Sequence, residues 1–378
     1  MSKLYKIQLR PCDAFFFGNE RSFGEGDNAN YLVHSRQFPQ QTSLVGLMRY
    51  VILKQKGYDL SGSSRKLDAR AETLIGKKSF KIKGENDFKI LEKLSPIWIS
   101  DGTQAYHVAP KNYGLDFKVS GTDLSRNNRE GGILLNGKEQ QLFSLQYSTD
   151  FRSKKKDDAY SAKEPLPADE KLLAQDGKTL LEFKEVFQAV AQIGIHKTAR
   201  RIETDDEDGL FKMTRFRFKK NFCFEFIVTL SEDIFKEDKE LIVQFGGEHS
   251  QFFLKASPLE TMPIAYFNTP KASKDIAEVV LISDAYVPNS IYENTDFAIT
   301  ETVDFRFITS TVGETERYHN ISEKGVSVND TLGKSEKYNL LERGSVFYVK
   351  KDKLQAFEAA LHNEVFNAIG YNRYHIFQ

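Results

Sequence analysis

The chain has 378 residues, and its 53 Lys and Arg residues balance its 53 Asp and Glu residues. This balance excludes a uniformly basic nucleic-acid coat and leaves room for local basic patches. Hydrophobic residues make up 40% of the chain, so it can bury a sizeable core, and the 30 Phe and 16 Tyr residues favour packed sheets over helix bundles. The length predicts two domains, or one domain with large insertions.

The first part of the chain is predicted to form a strand and then a helix. Apolar and polar residues alternate over 5–9, which indicates a half-buried strand that ends at Pro11. The helix is predicted to begin at Thr42-Ser43, where either hydroxyl can cap it, and to end at Gly57. Its apolar residues fall on one stripe, formed by Leu44, Leu47, Met48, Val51 and Ile52.

The middle of the chain contains a polar segment and several strands. Aliphatic residues thin out over 121–177, and residues 152–171, almost all charged, Ala, Ser or Pro, are predicted to be a mobile insertion. Apolar residues at even positions over 216–230 predict one long strand or a hairpin arm. The short apolar runs 241–243 and 279–282 are typical of central strands.

The end of the chain predicts a strand, a helix and a strand. Residues 346–349 form the first strand, Gly370 breaks the helix, and residues 374–377 form the last strand. The helix has one apolar side, formed by Leu354, Phe357, Leu361, Val365 and Ala368.

These elements predict an α+β protein with helices packed on antiparallel sheets. Two ferredoxin-like (RRM-like) βαββαβ domains with insertions fit the order of elements. The first is expected to cover residues 1–231, with an insertion at about 121–177, and the second residues 232–378.

Little in the sequence indicates catalysis or a bound metal. Cys12 and Cys223 cannot build a disulfide framework or a Cys-based zinc site, and none of the seven histidines is paired at a helical ligand spacing. The triplets at Gly177 and Gly333 lack the upstream glycine of a phosphate-binding loop. The acidic run Asp205–Asp208 is best explained as a solvated turn, with a carboxylate metal site as the alternative. We expect no cofactor, no metal and no enzymatic activity.

The protein is expected in the cytoplasm, without membrane attachment. The first residues lack the apolar stretch of a secretory signal. No apolar run approaches the roughly 20 residues that a membrane-spanning helix needs.

Three segments carry residue types that suit RNA. Phe17–Gly24 combines amide, hydroxyl and guanidinium donors with rings, which can bind phosphates and stack bases. His34–Arg49 straddles the predicted helix N-terminus, where free N–H groups favour anions. Gly194–Arg201 places four basic or potentially basic side chains within six positions. An ordinary solvated surface explains each segment equally well from its local residues alone. The candidate RNA-binding residues in these segments are Asn19, Arg21, Ser22, Phe23, His34, Arg36, Gln41, Thr42, Ser43, Arg49, His196, Lys197, Arg200 and Arg201.

Four blocks, taken in order along the chain, carry a resemblance to a known family. The blocks are Pro11-x-Asp13-x-Phe15-Phe16-Phe17 with Arg21-x-Phe23, Phe38-Pro39 with Thr42-Ser43-x-x-Gly46-x-x-Arg49, Gly194-Ile195 through Asp208-Gly209-Leu210-Phe211, and Phe245-Gly246-Gly247-Glu248 with Gly344-Ser345-Val346-Phe347-Tyr348. Together they resemble the RAMP proteins of CRISPR–Cas systems. The resemblance is most specific to the subunit of the type III-B (Cmr) effector complex that holds the 5′ end of the guide RNA (crRNA).

The resemblance implies a pair of ferredoxin-like folds without a catalytic site or cofactor. Its implied partners are the 5′ tag of the crRNA, the large polymerase/cyclase-like subunit of the complex and the first RAMP subunit of the backbone filament. It assigns tag contacts to Asn19, Arg21, Ser22, Ser43, Gly46, Arg49, His196, Lys197, Arg200 and Arg201. The family's Gly-rich loop near the C-terminus is reduced here to Ile369–Arg373, in which Tyr371 and Arg373 are the candidate contacts.

Two other functions stay open. The chain could be a metal-independent RAMP endoribonuclease that processes repeat RNA, with His34 and His196 as candidate acid–base residues. It could also be an adaptor that binds only protein.

Overall fold

The computed structural model describes most of the chain. The described residues are 2–18, 32–58, 60, 69–76, 80–84, 86–111, 117–120, 132–135, 138–141, 171–195, 210–219, 221–235, 240–262, 276–295, 297–309 and 333–377. The strands are β1 (Lys3–Pro11), β2 (Leu32–His34), β3 (Leu91–Leu94), β4 (Trp98–Ser100), β5 (Ala105–Val108), β6 (Phe117–Ser120), β7 (Gly132–Leu135), β8 (Lys138–Gln141), β9 (Lys171–Ala174), β10 (Leu180–Glu182), β11 (Phe187–Ile195), β12 (Leu210–Phe218), β13 (Cys223–Leu230), β14 (Leu241–Gln244), β15 (Gln251–Leu259), β16 (Ile276–Leu281), β17 (Phe297–Ile299), β18 (Thr302–Phe305), β19 (Ile308–Thr309), β20 (Gly333–Lys334), β21 (Tyr338–Leu341), β22 (Val346–Lys350) and β23 (Tyr374–Phe377). The helices are α1 (Gln41–Gln55), α2 (Ala69–Ile75), α3 (Phe183–Val186), α4 (Lys351–Leu361) and α5 (Glu364–Ala368), with a 3-10 helix at Asn289–Asn294.

A nine-stranded antiparallel sheet forms the larger part of the molecule. Its strand order is β10-β9-β5-β4-β13-β1-β15-β14, with β3 also paired to β13. The predicted strand over residues 5–9 is confirmed as β1, which runs between β13 and β15 with Ile7 opposite both Phe226 and Ala256. β14 is the last strand in this order, so residues 241–243 do not form the predicted central strand.

Helix α1 packs its apolar stripe into the core beneath this sheet. The predicted stripe from Leu44 to Ile52 is confirmed, because all five of its members are buried in one cluster with Ile7 and Phe224. The helix begins one residue earlier than predicted, at Gln41, and no side chain caps it. Gly57, with φ 68°, follows its end as expected.

A second antiparallel sheet has the strand order β17-β22-β16-β23, with α4 packed on it through Phe347, Phe357 and Leu361. The predicted strands over 279–282, 346–349 and 374–377 are β16, β22 and β23. The predicted single helix is divided in two, because the Asn363 side chain accepts a hydrogen bond from the Phe366 backbone N–H (3.2 Å) and caps α5.

The run over 216–230, predicted to be one long strand or a hairpin arm, is also divided. Asn221 has φ 73°, and the turn there separates β12 from β13. β13 lies in the middle of the large sheet, whereas β12 is the central strand of the three-stranded sheet β11-β12-β2. A two-residue apolar period does not reveal such a turn, because both strands keep the same parity.

The fold is therefore mixed α+β and strand-rich, with several antiparallel sheets, as the sequence predicts. The two ferredoxin-like domains and their boundary at residue 231 stay predictions. Strands β14 and β15 lie after residue 231 in the sequence and belong to the same sheet as β1. In the predicted insertion, β7 and β8 join β6 in a small sheet, β9 joins the large sheet, and residues 152–170 lie outside the described part of the chain. Within the described ranges, no helix is long and apolar enough to span a membrane.

Candidate nucleic-acid interface

The three-stranded sheet β11-β12-β2 has an unusual charge. β11 and β12 form an antiparallel hairpin from Phe187↔Phe218 to Ile195↔Leu210, and β2 lies parallel to β12. β12 carries three cations, Lys212, Arg215 and Arg217, while β11 and β2 carry no carboxylate and no further Lys or Arg. The strands of this sheet thus carry cations without carboxylates, although the chain as a whole has equal numbers of acidic and basic residues.

The hairpin presents two chemically different faces, because side chains alternate along each strand. The face that we call the arginine face consists of Gln188, Val190, Gln192, Arg215 and Arg217. The face that we call the isoleucine face consists of His34, Ala189, Ala191, Ile193 and Lys212. Ile193 is 69% exposed and gives this face an apolar side chain that solvent or a partner can reach.

The opening block attaches this sheet to the rest of the protein. Phe15 exchanges two backbone hydrogen bonds with Phe216, at 2.7 and 3.0 Å. The Phe17 carbonyl accepts from the Arg36 N–H (2.9 Å), and the Phe16 carbonyl accepts from the Gly247 N–H (2.8 Å). The segment before α1, strand β12 and the glycine pair Gly246-Gly247 therefore meet around three consecutive phenylalanines.

A cluster of rings makes the base of the hairpin rigid. The Phe218 ring lies 4.6 Å from that of Phe224 in the large sheet and stacks on Phe187 at 5.1 Å. Phe15 contacts Phe218 at 5.7 Å between ring centroids. Such aromatic pairs each contribute about 0.5–1.5 kcal/mol beyond the area that they bury.

A cleft of about 230 Å³ opens beside this base. Its walls are Ser35, Arg36, Gln37, Phe38, Pro39, Gln40, Val108, Phe183, Asp284, Val303, Glu342 and Arg343. The Arg343 guanidinium lies over the Phe38 ring, 4.7 Å from its centroid. Burial alone would raise the pKa of Asp284, but the ion pair with Arg343 holds that pKa below its ordinary value.

A second ion-pair group lies next to the cleft. Lys111 donates to carboxylate oxygens of Glu301 (2.8 Å) and Glu342 (2.7 Å). Burial raises the pKa of Glu342 despite the neighbouring lysine. The charged groups of the cleft are thus largely compensated within the protein, in contrast to Lys212 and Arg215 of the hairpin, which form no ion pair with a described carboxylate.

Three of the sequence-predicted site residues are exposed. His34 lies on β2 in register with Thr214, and Ser43 and Gly46 lie on the first turns of α1. No atom lies within 4 Å of the position that a Cβ of Gly46 would take. Thr42 is half-buried. These positions are open to a partner.

Other predicted site residues make contacts inside the protein. The Gln41 side chain is fully buried and donates to the carbonyls of Ser95 and Gly370, both at 3.0 Å. Tyr371 is 1% exposed among the rings of the core, so its ring is not an accessible stacking platform in this conformation. Their contacts with RNA stay predictions.

Three predicted arginines donate to backbone carbonyls. Arg36 binds Asp304 (2.8 Å), Arg373 binds Asn367 (2.9 Å) and Arg49 binds Gly76 (3.0 Å). Burial lowers the pKa of Arg49, its Nε has no hydrogen-bond partner, and no carboxylate of the described residues forms an ion pair with it. A half-buried guanidinium without a counter-charge is suited to an anionic ligand.

The remaining predicted residues lie outside the described part of the chain. They are Asn19, Arg21, Ser22, Phe23, His196, Lys197, Arg200 and Arg201. The predicted acidic turn Asp205–Asp208 lies there too. In the part that is described, no group of three or more His, Cys, Asp or Glu side chains could hold a metal ion.

Sequence reasoning did not single out Arg215, Gln188 and Gln192. The apolar alternation over 216–230 is carried by phenylalanines, and Arg215 lies just before it. The available signal was the contrast between β12, with three cations, and β11, with none.

The comparison with known families identifies the chain. Residues 7–378 match the family model described as CRISPR-associated protein (Cas_Cmr3). The chain belongs to this family. The match confirms the resemblance to a Cmr subunit of the RAMP proteins that the four blocks predict.

Solved structures give a weaker likeness. The chain is 12% identical to a chain of a cryo-EM structure of the Type III-B Cmr-beta bound to cognate target RNA, with a TM-score of 0.46 over 98% of this chain and 96% of that chain. It is 13% identical to a chain of the same assembly bound to cognate target RNA and AMPPnP, with a TM-score of 0.45 over 98% of this chain and 95% of that chain. No curated protein sequence matches the chain.

Proposed function

We propose that this Cas_Cmr3 protein is a non-catalytic subunit of a type III-B CRISPR effector complex that binds the 5′ tag of the crRNA. The observation that carries the proposal is the sheet β11-β12-β2, whose three strands hold Lys212, Arg215 and Arg217 and no carboxylate. Of the three cations, Arg217 forms an ion pair, with Asp13 after β1. Family membership supplies the CRISPR context.

The chemistry of the sheet suits a single-stranded RNA. Phosphates bind to Arg and Lys side chains, and unstacked bases bind to amide edges and apolar side chains. The hairpin offers the cations together with the exposed amides of Gln188 and Gln192 and the exposed Ile193. In the sequence, the predicted contacts of the central block follow Ile195, the last residue of β11, and those of the opening block follow Phe17, which is bridged to Arg36.

The same proposal includes two protein partners. We expect the chain to dock on the large polymerase/cyclase-like subunit and on the first backbone RAMP subunit. A net charge of zero agrees with this arrangement, because a protein with balanced charge can present surfaces to protein partners as well as to RNA.

A charge-removal experiment tests the RNA contact. The assembled complex is prepared with Lys212, Arg215 and Arg217 all changed to Ala, and its affinity for labelled crRNA is measured over a range of salt concentrations. We expect weaker binding and a salt slope reduced by about 2, since each lost contact to single-stranded RNA lowers it by about 0.7. A matched variant removes the exposed cations Lys93, Lys178 and Lys255 instead. Equal effects of the two triple variants would contradict the proposal.

One observation keeps the endoribonuclease alternative open. His34 is exposed and shares the isoleucine face with Lys212, and these residue types can perform metal-independent acid–base cleavage. The purified chain is incubated with labelled repeat RNA and a metal chelator. A discrete product that disappears with His34→Ala would favour the nuclease, and intact RNA is the result that our proposal predicts.

A further inference from the structure

We propose that the arginine face is the side of the hairpin that binds the RNA backbone, with Arg215 holding one phosphate between the amides of Gln188 and Gln192. The inference rests on the proposed function and assigns it to one face. It concerns residues that neither the four blocks nor the family match distinguishes.

The environment of Arg215 carries the argument. Its Nη2 donates to the Ala14 carbonyl at 2.5 Å, which fixes the guanidinium against the opening block. Its Nε is buried without a hydrogen-bond partner. Among the residues that the structure describes, no carboxylate forms an ion pair with Arg215. A guanidinium has five N–H donors, and among the described residues one acceptor, the Ala14 carbonyl, binds them. Because Nε is buried, an external anion would bind the Nη groups.

The position of Arg215 lowers the stability of the free protein and favours the binding of an anion. A partly desolvated cation without a counter-charge lowers stability, and its removal from water is compensated only by a negative partner. A phosphate accepts two parallel N–H bonds from a guanidinium and fits it better than a single carbonyl does. Because the Ala14 bond already fixes the side chain, little conformational entropy is lost when the anion binds.

The neighbouring Arg217 differs in this respect. It forms an ion pair with Asp13 at 2.5 Å, and both side chains are substantially exposed, at 46% and 71%. Its charge is therefore compensated and screened by water. Arg215 is the better candidate for the central contact, although the two arginines lie on one face of the same strand.

Two amides flank Arg215 on β11. Val190 lies directly opposite Arg215, and Gln188 and Gln192 lie two residues to either side on the same face. Four residues of strand separate the two amides by roughly 13 Å. Both glutamines are exposed, and each amide can donate and accept, so they can bind ribose hydroxyls or base edges on either side of the phosphate.

The opposite face has another character. Ala189, Ala191 and Ile193 are exposed there and offer no hydrogen-bonding side chains, and the exposed polar residues that define this face are His34 and Lys212. Backbone phosphates therefore find more partners on the arginine face.

The test compares substitutions by face. Affinity for tag-bearing crRNA and its salt slope are measured on the assembled complex with Arg215→Ala, Arg215→Lys and Lys255→Ala. We expect Arg215→Ala to weaken binding about tenfold and to lower the salt slope by about 0.7. Arg215→Lys keeps the charge and loses the planar fork, so we expect its slope to be preserved and its affinity to be partly lost. Lys255→Ala, an exposed strand cation outside the hairpin, should bind as the unchanged protein does.

A second variant avoids dependence on the folding of Arg215→Ala. Gln188→Ala/Gln192→Ala changes only exposed side chains, and we expect it to lower affinity severalfold without changing the salt slope. Normal affinity of this double variant, or a larger loss with Lys212→Ala than with Arg215→Ala, would overturn the assignment to this face. If the unchanged complex bound no crRNA through this chain, the proposed function itself would fail, which is a different result.

Discussion

Arg343 and Asp284 form a buried ion pair that joins the turn before β22 to the loop after β16. The Arg343 backbone N–H, Nε and Nη2 donate to the Asp284 carboxylate at 3.0, 3.1 and 3.2 Å. The same guanidinium covers the Phe38 ring in the segment that leads into α1. One arginine therefore links the smaller sheet to the entrance of the main helix.

Removing one partner of this pair should be strongly destabilising. Arg343→Ala leaves a buried carboxylate without its cation, and we expect a loss of about 3–5 kcal/mol in the free energy of unfolding, measured by urea denaturation. Arg10→Ala is the matched control, since Arg10 pairs with Glu240 at 3.2 Å on the surface. Its loss should be about 0–1 kcal/mol. Similar losses for the two variants would mean that Asp284 and Arg343 are solvated.

Asp101 should make the free energy of unfolding depend on pH in the acidic range. Burial alone would raise its pKa, but hydrogen bonds from Thr103, Gln104 and Tyr106 lower that pKa to about 2. Because the pKa is lower in the folded than in the unfolded state, the stabilisation is complete above about pH 4 and is lost as the pH falls towards 2. Asp101→Asn should therefore be less stable than the unchanged protein at pH 6, with a difference that shrinks by pH 2.5.

Urea midpoints at several pH values measure this effect. Glu92→Gln, an exposed strand residue, should follow the unchanged protein at every pH. A constant gap between Asp101→Asn and the unchanged protein from pH 6 to pH 2.5 would rule out the carboxylate as its origin.

Two glycines should respond to alanine in opposite directions. Gly246 has φ 91°, and a Cβ there would lie 2.5 Å from the Phe16 carbonyl oxygen, so Gly246→Ala should cost about 1–3 kcal/mol or more. Gly46 lies inside α1 with open space around it, so Gly46→Ala should stabilise the free chain by about 1 kcal/mol. Thermal unfolding of the free chain measures both. A stabilised Gly46→Ala chain that binds crRNA normally would show that no RNA backbone approaches Gly46.

A substitution of Arg49 can distinguish a role in packing from a contact with RNA. Arg49→Met keeps an unbranched side chain in the half-buried position and removes a cation that has no described carboxylate partner. We expect little change in unfolding midpoint, because the lost bond to Gly76 is offset by the removed desolvation cost. We expect weaker crRNA binding with a lower salt slope. Normal binding would leave Arg49 as a packing residue only.

The spacing of apolar residues predicted the helices and strands that bury one face. The stripe from Leu44 to Ile52 and strand β22 are examples, since helical and strand periods follow directly from burial. The division of the apolar run at Asn221 was not predictable in this way. It depends on the docking of β12 beside β2 and of β13 beside β1, which are long-range pairings.

The site was less accessible to sequence reasoning than the fold. Gln41 and Tyr371 carry polar groups next to a helix start or a loop, yet tertiary packing buries both. The reverse holds for Arg215, whose bond to Ala14 joins residues 201 positions apart. Whether an arginine lies near a carboxylate depends on tertiary contacts, so residue spacing in the sequence does not predict it.

Photo-crosslinking from the 5′ tag tests the central claim most directly. A crRNA with a photoreactive nucleotide in its tag is assembled into the complex, and the crosslinked peptides are identified by mass spectrometry. The account predicts crosslinks to peptides of the hairpin between Phe187 and Phe218. Crosslinks that fall only elsewhere in this chain, or only in other subunits, would contradict it.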